Sequence, residues 1–192
     1  MTSGVVSALS FRHLAAAVIL GLSLGVKLVQ AAPALLAPTE PTVWSDEAKG
    51  LVVITTRTPA AESKDGIQNQ AAAFVEGLVN SGSVAPQSVR AITIRKLPAL
   101  EVRGDLLSGP KGIKCVAILA FARNQTFIVH GMGPNDPDPA LVETHCAADG
   151  APQNDARPVL DDLAVKMKRE LDELRRLALA VQKRQLEENR KH

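Results

Sequence analysis

Two cysteines, two of the four histidines and a short acidic loop carry the chemistry that this 192-residue chain offers. Cys115 and Cys146 are separated by 30 residues. An even number of cysteines in an exported chain predicts a disulfide between them. Two buried free thiols are the second reading, because cysteine behaves as a small apolar side chain. A third joins His130 and His145 to the cysteines as a zinc site. Against it stand the adjacency of His145 and Cys146 and the lack of a Cys-x-x-Cys pair. Of the three, the disulfide is expected.

His130 ends a predicted strand with no nucleophile or acid beside it, and reads as structural. An enzyme would have to assemble His130, His145 and the carboxylates of Asp136 and Asp138. Those carboxylates alternate with Pro134, Pro137 and Pro139, which describes a stiff acidic loop better than a calcium site. Ser108-Gly-Pro-Lys111 spells Ser-x-x-Lys, but inside a run of turn residues and without its companion motifs. Asn124-Gln-Thr126 spells a glycosylation acceptor where a hairpin turn would place an Asn anyway. His-Glu-x-x-His, Walker and Gly-x-Ser-x-Gly motifs do not occur. The expectation is a non-catalytic protein without cofactor or metal; an enzyme using His130 and His145 is the contrary reading.

Composition narrows the classes further. Hydrophobic residues make up 46 % and charged residues 22 % of the chain, an ordinary globular balance. Four Phe, one Trp and no Tyr leave little for base stacking or aromatic cages. The net charge of +2 arises from Arg12 and Lys27 in the acid-free first 31 residues, so the rest is neutral. A phosphate-backbone binder needs a basic surplus, so no nucleic-acid partner is expected.

Arg12 and His13 precede the apolar run Leu14–Val26, and Val29-Gln30-Ala31 offers small residues before a cut at Ala32. That is the layout of a secretory signal peptide. The alternative fuses residues 14–36 into an uncleaved anchor with Lys27 snorkelling to the headgroups. Either way the body is expected outside the cytoplasm, periplasmic or secreted, or held at the inner membrane.

The elements that must position these groups divide the chain into four pieces. Residues 1–31 form the leader, and 32–42, with three prolines, a tether. Residues 43–150 form a globular domain and 151–192 a C-terminal amphipathic helix. Within the domain, Leu51–Thr56 reads as a strand, and Ile67, Ala71, Phe74, Val75, Leu78 and Val79 as the buried side of a helix. Strands follow at Val89–Ile94 after a break at Pro86, at Leu100–Arg103, at Lys114–Phe121 and at Thr126–His130. A helix from Pro139 or Ala140 to about Ala148 is expected to dock on the sheet and bring Cys146 to Cys115. The class is α+β: a small antiparallel sheet flanked by helices, plus the long C-terminal helix.

The stretch Ile92–Ala99 (ITIRKLPA), a variable loop, then KCVAILAF, TFIVHGMG and a closing helix resembles PsbP-like domains of the DcrB type. The resemblance covers roughly residues 43–148. It departs at Lys96, where a Gly often precedes Leu-Pro-Ala, and at the first strand, which keeps only Trp44 of an aromatic-rich pattern. It implies an exported bacterial fold of accessory character, without a catalytic constellation.

Pro158 opens the last helix, with Asp161 and Asp162 complementing its N-terminal dipole. Asp162–Lys166, Asp172–Arg176 and Glu187–Lys191 are expected pairs. Its stripe of Leu160, Leu163, Met167, Leu171, Leu174, Leu177 and Val181 fits two readings, a helix packed on its own domain or left as a solvated tail, and a surface that binds an envelope protein partner. Glu170 and Arg184 at heptad core positions oppose a simple parallel dimer. The function implied is an exported, non-catalytic accessory or binding protein of the bacterial envelope. The alternative is a structural subunit of a membrane assembly held by an uncleaved N-terminal helix and the C-terminal helix.

Overall fold

A computed structural model describes residues 40–81, 83–107 and 111–189, with the side chains of 184 and 186–189 left out. The leader, nearly all of the tether, Ser108–Pro110 and the last three residues lie outside the described residues.

Six strands form one sheet: β1 (Thr42–Asp46), β2 (Leu51–Pro59), β3 (Val84–Ile94), β4 (Leu97–Leu106), β5 (Lys114–Phe121) and β6 (Gln125–Gly133). Their order across the sheet is β1-β2-β6-β5-β4-β3, and every neighbouring pair is antiparallel. Strands β3 to β6 are a meander built from hairpins. Helix α1 (Lys64–Asn80) carries the chain from β2 to β3 at the opposite edge. Helices α2 (Pro139–His145) and α3 (Ala156–Asn189) complete an α+β fold.

Side chains alternate along the strands, so each strand feeds both faces. The first face presents Val52, Ile54, Leu100, Val102, Cys115, Ala117, Leu119, Phe121 and Met132. These are covered by Ile67, Ala71, Val75 and Leu78 of α1 and by Ala156, Leu160, Leu163 and Ala164 of α3. The second face presents Val53, Ala99, Val116, Ile118, Ala120, Phe127 and Val129, covered by Val142, Cys146 and Ala148. Because β5 is covered on both sides, it reads as the unbroken apolar run KCVAILAF.

Local chemistry explains most boundaries. The Ser63 hydroxyl caps α1 by accepting from the Gly66 N–H at 3.0 Å. Val79 lies off the buried side, about 100° from Leu78, and is 48 % exposed. Pro86 does not break β3: the strand is at the sheet edge and carries a bulge between Pro86 and Ser88, so a missing N–H is tolerated. Strand β1, which no residue pattern marks and only the family resemblance around Trp44 implied, pairs Trp44 with Val53.

The β3–β4 connection is two residues, Arg95 and Lys96, at φ +47° and +69°. Two left-handed residues are the pattern of a type I′ turn, which glycine and asparagine fill with least strain. Here the turn is fastened to α2. The Arg95 N–H donates to Glu143 Oε1 at 2.7 Å, and its guanidinium donates to the Cys146 carbonyl at 2.9 Å.

Candidate functional site

The expected disulfide is not formed. Cys115 belongs to the first face of the sheet and Cys146 to the second, and both are buried free thiols. The helix near residue 140 does dock on the sheet, but on the face away from the Cys115 side chain. Gly131 makes that docking possible: a Cβ there would lie 2.7 Å from Val142 Cγ2 and 2.8 Å from Val116 Cγ1. Helix α2 then stops at His145, before the expected Ala148, because the Ala147 N–H donates to the Thr55 hydroxyl instead, at 3.1 Å. A bridge needs Cα atoms within about 7 Å, which the intervening sheet prevents. Burial pushes the Cys115 thiol up to about 12 and raises that of Cys146 as well, so neither is a thiolate at neutral pH.

The histidines are divided in the same way. His130 on β6 faces Ile54 and Ala117 on the first face, and is 7 % exposed. Burial lowers its pKa to about 4, so it sits neutral in the core. His145 stacks on Trp44 of β1, with ring centroids 3.6 Å apart and planes 6° from parallel. Trp44 packs against the second face. The structure therefore does not bring His130 and His145 together, and the zinc reading fails with the disulfide. Among the described residues no three His, Cys, Asp or Glu side chains are grouped to hold a metal ion.

Asp136 and Asp138 lie in the loop before α2. Asp138 caps the helix, accepting from the Ala140 N–H at 2.9 Å, with Pro139 in the first turn. The loop is tied down by a group the sequence did not single out. Glu101, in mid-β4, has a side chain only 1 % exposed and faces the same way as Ile118. It accepts from Arg90 Nε at 2.6 Å and from Arg103 Nε and Nη2 at 2.9 and 3.2 Å. Burial alone would raise its pKa, but the hydrogen bonds from Arg103 and Arg90 outweigh that and hold it low. Arg103 reaches on to the Pro137 carbonyl at 3.4 Å. One step along the sheet, Asp105 pairs with Lys114 and accepts from Gln87 Nε2 at 2.7 Å. These ions are saturated by one another. Their effect is to fasten β3, β4 and the proline loop.

The remaining candidate is α3, whose 34 residues span about 50 Å. The predicted stripe is divided along it. Leu160 and Leu163 are buried, and Met167 and Leu171 half-buried, all against the chain's own domain. Leu174, Leu177 and Val181 are 62 %, 58 % and 56 % exposed. In place of the expected Asp162–Lys166 and Asp172–Arg176 pairs stand Arg157–Asp161 at 2.9 Å, Lys168–Asp172 at 3.0 Å and Asp172–Arg175 at 3.7 Å, while the expected Glu187–Lys191 pair lies outside the described residues. Arg157 also donates to the Thr93 hydroxyl at 3.3 Å, and Arg175 to the Gln87 carbonyl. From residue 173 to 183, every residue is exposed.

No family model matches the sequence, and no curated protein matches it either. Among the described residues no helix is long and apolar enough to cross a membrane.

Proposed function

We propose that this chain is an exported, non-catalytic accessory protein of the bacterial cell envelope that docks another component through the outer half of α3. The observation that carries this is the exposure of Leu174, Leu177 and Val181, which follow the last stripe residues packed on the core, Met167 and Leu171. Large apolar side chains set out at helical spacing are a recurrent protein-docking device. The leader-like first 31 residues support export, and the likeness of residues 43–148 to PsbP-like domains supports an accessory role. Inner stripe residues serve the fold and outer ones serve the partner.

The test is Leu174→Asp with Leu177→Asp in the full chain. Both positions are exposed, so the variant should melt like the wild type while losing the proteins recovered with it from solubilised envelopes. Recovery of the unchanged set by a folded variant would reject the docking role.

A further inference from the structure

The two edges of the sheet are finished differently. At β3 the backbone is guarded: Pro86 has no N–H, a bulge follows it, and Arg175 of α3 donates to the Gln87 carbonyl. At β1 the residues Thr42–Asp46 hold no proline, bulge or lysine. Among the described residues no strand or bridge lies on their outer side.

The ladder shows which backbone groups this leaves over. The Ala122 N–H donates to the Gln125 carbonyl at 3.0 Å, and that closing pair sets the alternation across the sheet. His130 and Met132 of β6 turn their backbone groups to Ile54 and Val52 of β2. Leu51, Val53 and Thr55 therefore turn theirs to Asp46, Trp44 and Thr42. Val43 and Ser45 are left facing outward, each with an N–H and a carbonyl that no strand receives. Pro41 bounds this free stretch on one side and the turn at residues 47–50 on the other. Its centre is Trp44, the only tryptophan of the chain.

We infer that this edge is an interface with a second copy of the chain, the two β1 strands pairing antiparallel about a two-fold axis at Trp44. In that register Val43 lies opposite the partner's Ser45, and every outward N–H of one strand meets a carbonyl of the other. Trp44 lies opposite the partner's Trp44 at a non-hydrogen-bonded site, where side chains approach most closely and aromatic pairs stabilise a ladder. Thr42 lies opposite the partner's Asp46, so no like charges meet. A strand of another protein would gain the main-chain bonds alone unless it carried its own aromatic to the centre, whereas a second copy brings one by symmetry. Five residues on each side make a weak, reversible contact. It is separate from the docking surface on α3 and does not depend on it.

The test uses the full chain from its native host. Thr42→Cys mixed with Asp46→Cys should give a covalent dimer on oxidation, because those positions are opposed. Thr42→Cys alone should not, because its two cysteines stand at opposite ends of the paired strands. Sedimentation of the wild type should show a monomer–dimer equilibrium. Ser45→Pro should weaken it by about tenfold or more, through the lost donors and the ring at the edge. Its circular dichroism should not change, because β2 does not use the Ser45 N–H. Monomers at every concentration, a dimer that Ser45→Pro leaves intact, or bridging by Thr42→Cys alone as readily as by the mixture would each overturn the inference. Capture of Thr42→Cys by a different protein in place of a second copy would overturn it too.

Discussion

On one face of the sheet, Ile67, Ala71 and Leu78 of α1 and Leu160 and Leu163 of α3 close over Val52, Leu100, Leu119 and Phe121, with His130 held neutral among them. On the other, α2 is a seven-residue helix that supplies one buried side chain, Val142. Closure there is completed by polar ties: Glu101 to two arginines, Arg103 to the Pro137 carbonyl, and Arg95 to Glu143 and the Cys146 carbonyl. The contrast shows two ways of covering a sheet. Long helices offer enough apolar area for burial alone to hold them. A short helix and a loop do not, and charged hydrogen bonds in a sheltered place fix their position instead.

Four perturbations separate the two covers. Glu101→Ala should cost most, roughly 3–5 kcal/mol by chemical denaturation, because two guanidinium groups lose their common carboxylate. A loss under about 1 kcal/mol would mean that the arginines find water without strain. Leu160→Ala, at a fully buried site on the first face, should cost roughly 2–5 kcal/mol through the cavity it leaves. A near-neutral result would show that α3 is not part of the core.

Acid should distinguish the covers by pH window. His130 takes up its proton near pH 6.5 when unfolded and near 4 when folded, so its contribution is full above 6.5 and is lost between 6.5 and 4. That decline should total about 3 kcal/mol and be largely removed in His130→Leu. Glu101 behaves differently, since its folded pKa is lowered: its contribution persists above the ordinary carboxylate range and is lost only as pH falls below it. A Glu101→Gln variant should therefore flatten the acid limb without altering the slope between pH 6.5 and 5. The smallest effect is expected from Lys96→Gly, which relieves a left-handed residue and should raise stability by under about 1 kcal/mol. A loss there would show that the Lys96 side chain serves the turn.

Much of this fold is legible from pattern. The β-branched run at residues 51–56, the continuous run at 114–121 and the apolar spacing of α1 each mark an element, because periods of 2 and 3.6 follow from backbone geometry alone. Other features are invisible for physical reasons. Trp44 sits in a short edge strand whose exposed residues follow no apolar alternation. Pro86 reads as a break until the strand is known to lie at an edge. Glu101 stands in the run ALEVRG like any surface acid, and only the register with Arg90 and the approach of Pro137 make it a buried hub.

The sequence by itself determined the central strands and the helices, their α+β class, and a C-terminal helix whose stripe is longer than the domain needs. Each of these rests on local periodicity, which needs no knowledge of neighbours. Only the tertiary structure decided which face of the sheet each helix takes. That choice separated Cys115 from Cys146 and His130 from His145, since residues near in sequence order can still have a sheet between them. It also decided where the domain ends beneath α3, and so which leucines of one uninterrupted stripe are core and which stand free. Burial is a property of what packs against a helix, and one strand of sequence cannot specify that alone.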